Sequence, residues 1–184
     1  KDIKVLVRAY HTYVRPILEY NSVVWSPILK CEIDVLERVQ RRFTKRLRGM
    51  NLLSYIDWLI RLELNTLELR RLHNDLIMCY KIVFGLIDLN FTGFFAFSPA
   101  VVTRGHQYKL YKSRVKGARN TFFTSRVINA WNYLSSDTVN FTSLRSFKRT
   151  IALSDFLLLS RHQWFNHAEV CNTASSLYIS RATS

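Results

Sequence analysis

The sequence predicts a mostly α fold: a helical bundle of about five to six helices, a basic irregular loop or short hairpin around 100–118, and a weakly structured C-terminal tail. Three observations predict it. Apolar residues recur at three- and four-residue spacing through most of residues 2–153, the period of a helix with one inward face. Helix-start signals (Ser54 with Asp57, Asn65 with Glu68) and glycine stops (Gly49, Gly85) punctuate that pattern,. Gly93, Pro99, Gly105 and Gly117 gather in the one segment where the period fails,.

In chain order, residues 2–25 predict a helix bent at Pro16, with Ile3, Leu6, Val7, Tyr10, Val14, Ile17, Leu18 and Val24 forming its stripe and Ser26-Pro27 stopping it,. Residues 31–48 predict the clearest amphipathic helix. Leu36, Val39, Phe43 and Leu47 fall on one face, Arg38, Arg41, Lys45 and Arg48 on the other, with Glu37 to one side,. A short helix follows from Ser54 to Leu62, then a longer one from Asn65 to about Phe84 with Leu69, Leu72, Leu76, Tyr80 and Val83 inward,. Arg70-Arg71 is the only concentrated positive charge on that helix. Within the irregular stretch 86–120, residues 108–115 suit a short strand. Residues 121–134 and 143–153 return to helix, the first burying Phe123, Val127, Ala130, Trp131 and Leu134, the second Leu144, Phe147 and Ile151 beneath exposed Arg145, Lys148 and Arg149. The organisation is a helical bundle over 1–85, a basic connecting loop over 86–120, C-terminal helices over 121–153 and a tail over 154–184. There is no internal repeat.

Length and composition narrow the function. The 184 residues suffice for one domain, or one domain with an appendage,. A net charge of +14 points to a polyanionic partner, nucleic acid before an acidic membrane face,. The charge is blocked: residues 1–50 carry 11 basic and 5 acidic side chains, residues 51–100 carry 4 and 5, residues 101–150 carry 10 and 1. Cys31, Cys79 and Cys171 are odd in number and widely spaced, which argues against a disulfide framework,. With no signal peptide and no apolar run of membrane length, the reading is an intracellular protein, nuclear or cytoplasmic, with no membrane partner. In such a protein the sequons at Asn90 and Asn140 are chance matches. The chain opens on Lys1 inside a helical pattern, as a fragment of a longer polypeptide would.

Two groups of residues are candidates for phosphate contact. Arg38, Arg41, Lys45 and Arg48, with Arg42 beside them, line one helix face; a guanidinium fork bonds phosphate oxygens bidentately,. The competing reading is a solvated helix face. Arg104, Lys109 and Lys112 form the second group, in a loop whose Tyr108 and Tyr111 could stack on bases or sugars,. The competing reading there is a soluble loop. His162, His167 and Cys171 lack a fourth ligand for zinc, so no metal or other cofactor is expected,. No Gly-rich phosphate loop, G-x-S-x-G or H-E-x-x-H occurs, and no Asp-Asp pair that could hold two metal ions,. No catalytic residue is assigned. Trp25, Trp58 and Trp131 read as core or interface aromatics.

An ordered series of blocks resembles a known family. Val14-Arg15-Pro16-Ile17-Leu18-Glu19-Tyr20 and Trp25-Ser26-Pro27 come first, then Glu37-Arg38-Val39-Gln40-Arg41-Arg42-Phe43-Thr44. Ser54-Tyr55, the run from Leu59 to Leu64, Leu67-Glu68-Leu69-Arg70-Arg71-Leu72 and Asp75-Leu76-Ile77 continue the series. Thr103-Arg104-Gly105-His106, Phe122-Phe123, Arg126-Val127, Trp131-Asn132 and Phe147-Lys148 complete it. Together, over residues 3–153, these resemble the segment after the polymerase core in non-LTR retrotransposon reverse transcriptases of the jockey-like and chicken-repeat-like groups. The resemblance implies a thumb and post-thumb region that grips template–primer duplex, RNA or RNA–DNA, through its backbone. It also implies an RNA-directed DNA polymerase as parent, with the catalytic aspartates upstream in a polymerase core that would be this fragment's partner. Trp58 stands where the family usually has Arg, and Ser135 where it usually has Pro. The likeness fades after Ile151, so the tail reads as drawn from a shifted frame or flanking DNA. Two alternatives stand beside this reading: a transposon-derived remnant without function, and a helical protein-interaction domain.

Overall fold

The computed structural model describes residues 2–50, 52–99, 105–114 and 117–153. Arg104 lies outside them, as do the tail 154–184 and its His162, His167 and Cys171. Among the described residues the chain is helical, and its only β pairing is a single antiparallel bridge between Phe97 and Leu110.

The first helical run starts at Asp2, whose carboxylate accepts from the Lys4 N–H at 2.9 Å, and comprises α1 (Ile3–Ala9), a π turn (Tyr10–Val14) and α2 (Arg15–Glu19). The expected bend at Pro16 is realised as the π turn. Proline has no N–H to give the carbonyl four residues back. The chain widens by one residue ahead of it, and the Arg15 N–H reaches the Tyr10 carbonyl,. The run also ends earlier than residue 25. Asn21 takes φ 55°, a left-handed conformation that asparagine tolerates, and turns the chain over residues 20–24,.

Helix α3 (Lys30–Lys45) stops at Lys45 rather than 48; Arg46 and Leu47 close the turn, and Gly49 follows at φ 79°. Helix α4 (Tyr55–Arg61) carries the expected capping box, with the Ser54 N–H donating to Asp57 at 3.1 Å and the Asp57 N–H to Ser54 Oγ at 3.3 Å,. Helix α5 (Leu67–Val83) is capped one residue later than expected, by Thr66, whose Oγ1 accepts from the Leu69 N–H at 3.2 Å. A single turn, α6 (Phe91–Phe94), precedes the bridge, and a 3-10 turn (Gly117–Thr121) leads into α7 (Phe123–Tyr133) and then α8 (Leu144–Leu153). The suggested strand over 108–115 contracts to the bridge, held by the Ser98 N–H on the Lys109 carbonyl and the Tyr111 N–H on the Ala96 carbonyl, both 2.8 Å. The two sequon asparagines cap turns: Asn90 accepts from the Thr92 N–H and Asn140 from the Thr142 N–H.

Helix α5 is the axis of the fold, in contact with α2 and α3 on one side and with α7 and α8 on the other. Around its C-terminal half the core is apolar and aromatic: Leu76, Cys79, Trp131 and Phe147 are fully buried, with Tyr80, Val127 and Ile151 beside them. The Trp131 indole N–H donates to the Tyr108 carbonyl at 2.7 Å, so the expected inward face of α7 also fastens the irregular loop. Arg126 of α7 makes a fork with Asp75 of α5, at 2.8 and 2.9 Å, and donates to the Ser22 and Val23 carbonyls. A smaller cluster of Leu47, Met50 and Trp58 lies at the other end, where the Trp58 indole donates to the Met50 carbonyl at 2.6 Å.

Candidate nucleic-acid interface

Helix α3 has two polar sides with opposite fates. Its most deeply buried residues are Gln40, Thr44 and Glu37; of the apolar stripe the spacing suggested, only Leu47, just past the end of the helix, is buried. Leu36 and Phe43 are half-buried, and Val39 is exposed. The inward direction is therefore rotated from Leu36 and Val39 toward Glu37, with the fully buried Gln40 and Thr44 at its centre. The rotation follows from the available partners. Gln40 accepts from the Tyr10 hydroxyl at 3.0 Å and donates to the Tyr55 hydroxyl at 3.1 Å and the Asn65 carbonyl at 3.0 Å. Glu37 accepts from the Tyr55 hydroxyl and, at 2.9 Å, from the Leu67 N–H at the start of α5. Burial raises the Glu37 carboxyl above its ordinary range, opposed by those hydrogen bonds and by Arg41 and Arg71,. Burial likewise pushes the Tyr10 and Tyr55 hydroxyls up. This network ties the π turn, α3, α4 and α5 together and fixes the rotation of α3.

Once that rotation is fixed, Arg38, Arg41, Arg42 and Lys45 point to solvent, and all four are exposed. They fall within eight residues, the first and last about 10 Å apart along the helix at 1.5 Å per residue,. Among the described residues no ion pair ties any of them to a carboxylate; Asp34, one turn before Arg38, is the acidic group nearest in sequence on that side. The Arg41 guanidinium lies 4.7 Å from the centroid of the Tyr55 ring, which orders it against the surface,. Arg48 is exposed but lies beyond the end of α3, so the spacing that placed it on the helix face holds only as far as Lys45.

The second group divides. Lys112 is exposed, while Lys109 is half-buried, its side chain folded across Gly105. Arg104 is outside the described residues. Tyr108 belongs to the core, edge-on to Phe84 at 4.8 Å, and only Tyr111 faces solvent. Arg70 and Arg71 are structural: Arg70 forks onto Glu19, and buried Arg71 donates to the Leu18 carbonyl at 3.0 Å.

Two features had weak or no signal in the sequence. His106 is buried, its Nε2 2.9 Å from the Trp131 carbonyl and its Nδ1 accepting from the Tyr108 N–H at 3.2 Å. Those partners require the neutral Nε2–H form, and burial lowers its pKa accordingly. An open apolar groove of about 540 Å³ runs between Val24, Trp25 and Pro27, Val35 and Leu36 of α3, and Phe122. Trp25 is thus a surface aromatic, unlike buried Trp58 and Trp131. Among the described residues no group of three or more His, Cys, Asp or Glu could hold a metal ion, and no helix is long and apolar enough to cross a membrane.

Compared with protein-family models, with curated proteins and with solved structures, the chain matches none.

Proposed function

We propose that this chain binds the backbone of an RNA or RNA–DNA duplex, with little sequence preference and no chemistry of its own, as the thumb-containing fragment of a non-LTR retrotransposon reverse transcriptase. The observation that carries the binding is the α3 face: four exposed cations within about 10 Å of helix, free of carboxylate ion pairs and held outward by the buried Glu37–Gln40 network. Cations so placed displace condensed counterions from phosphates, which gives affinity that falls steeply with salt. The parentage rests on the ordered blocks from Val14 to Lys148.

The test is salt-dependent binding of an RNA–DNA duplex by the full chain and by a variant with Arg38, Arg41, Arg42 and Lys45 all replaced by Gln. Each lost phosphate contact lowers the slope of log K against log salt by about 0.9, so the slope should fall by roughly 3 to 4. Unchanged affinity and slope would sink the proposal. An open reading frame upstream carrying a polymerase Asp-Asp motif would support the parentage, and a stop codon there would leave only the remnant reading. One observation favours a second reading, a protein-interaction domain: the open apolar groove beside Trp25,. Duplex binding indifferent to the α3 cations would move that reading into first place.

A further inference from the structure

The open groove beside Trp25 shares a helix face with cations of α3. Val35 lines the groove, and Val35, Arg38 and Arg42 stand at i, i+3 and i+7, positions that fall on one side of a helix. Arg38 and Arg42 follow Val35 by three and seven residues, about 5 and 10 Å along the axis of α3,. The groove also takes Phe122, the N-cap residue of α7, into its lining. The Phe122 N–H donates to the Arg119 carbonyl at 3.2 Å, and Arg119 is exposed. Both segments that build the groove therefore carry exposed cations.

The groove itself is aromatic rather than basic. Trp25 is 44% exposed and Phe122 59% exposed. The buried Arg71 guanidinium lies 5.8 Å from the Trp25 ring centroid, a cation–π contact that orders the ring and still leaves it open to solvent,. Arg126, in the lining, is already forked onto Asp75, and Glu32 adds a carboxylate. Glu32 repels a phosphate from the groove, while Arg38 and Arg42 attract one alongside it; an uncharged ring is not repelled. At about 540 Å³ the groove falls within the roughly 300–1,000 Å³ of pockets that hold small ligands,. Aromatic surfaces beside a cationic track bind single-stranded nucleic acid with little sequence preference, the bases on the rings and the backbone on the cations. An apolar peptide side chain gives no account of those cations.

We infer that the groove takes an unpaired base of a single strand running on from the duplex bound at α3, with Trp25 and Phe122 as its stacking surfaces. At about 3.4 Å per nucleotide, the 5 to 10 Å from Val35 to the cations puts that base roughly one to three nucleotides from the phosphates at Arg38 and Arg42. The inference rests on the nucleic-acid reading above, and the test separates the two. Binding of an RNA–DNA duplex of about 16 base pairs is measured by fluorescence anisotropy, blunt and with a single-stranded extension of about six nucleotides at one end or the other. The full chain, Trp25→Ala, Phe122→Ala and the α3 variant are compared, with circular dichroism confirming that each is folded. Phe122 is exposed, so its loss leaves the core intact even if Trp25→Ala disturbs Arg71. An extension should tighten binding by the full chain about fivefold or more. Trp25→Ala and Phe122→Ala should each lose most of that gain and keep the affinity and salt slope of the full chain on the blunt duplex. No gain from either extension, or a gain that Phe122→Ala retains, overturns the inference. If the α3 variant is still impaired on the blunt duplex in that case, the α3 reading stands and the groove is left to a protein partner. If the α3 variant binds the blunt duplex as the full chain does, both readings fall.

Discussion

The two ends of α5 are buried by different means. At its N-terminal end the interior is polar: Gln40 and Thr44 are fully buried and Glu37 nearly so, with hydrogen bonds from Tyr10, Tyr55 and Leu67 occupying Gln40 and Glu37, and Thr44 donating to the Gln40 carbonyl. At its C-terminal end the interior is rings: Tyr80, His106, Trp131, Phe141 and Phe147 meet at centroid distances of 4.6 to 6.4 Å together with Tyr108. Apolar packing tolerates rotation of a helix as long as volume is filled, whereas a hydrogen-bonded network accepts one rotation. The end that presents four exposed cations is the end with the network.

That contrast can be broken most strongly at Trp131. Trp131→Ala removes a fully buried indole and its bond to Tyr108, and should lower unfolding free energy by about 3–5 kcal/mol in urea titrations,. A loss under about 1 kcal/mol would mean the aromatic end collapses around the cavity. Gln40→Leu at the polar end should cost less, about 2–3 kcal/mol, because it strands the buried Tyr10 hydroxyl without opening a large void,. It should also weaken duplex binding although Gln40 touches no phosphate, since the rotation of α3 loosens. Normal binding by this variant would separate the network from the cation face.

The two ends should answer pH with opposite sign. Glu37 has its folded pKa raised, so its contribution is present below the ordinary carboxylate range and is lost as pH rises through the folded value,. His106 has its folded pKa lowered, so its contribution is present above its ordinary value near 6.5 and is lost as pH falls toward the folded value,. Thermal melts across pH should therefore show Glu37→Gln flattening the slope above about pH 4.5 and His106→Gln flattening the slope below about pH 6.5. The smallest effect belongs to the surface: replacing Arg38, Arg42 or Lys45 singly by Gln should shift stability by no more than about 0.5 kcal/mol, because each is exposed and unpaired with a carboxylate,. A larger shift at any of them would mean that the cation serves the fold.

What was legible in the sequence was local. The Ser54–Asp57 box, the start of α3, the inward faces of α7 and α8 and the outward cations all depend on residues within one or two turns of each other. What was missed depends on distant partners. Glu37 looked peripheral because the residues that bury it, Tyr55 and Leu67, arrive 18 and 30 positions later. Arg126 reaches carbonyls more than 100 positions away. A usable signal was nonetheless present: Glu37, Gln40 and Thr44 stand at helical spacing on the side away from Arg38 and Arg42. Reading outward from the cations, rather than inward from the leucines, would have pointed to them.

The π turn ahead of Pro16 amounts to one surplus residue accommodated inside a helix. It sets the angular offset between Tyr10, which serves Gln40, and Glu19, which serves Arg70. Deleting Thr12 would remove the surplus residue but leave Pro16 still without an N–H for the ladder, and would turn one of those two side chains toward the wrong neighbour,. In that segment the geometry that looks like a flaw acts as a gear, meshing one helical run with two different partners.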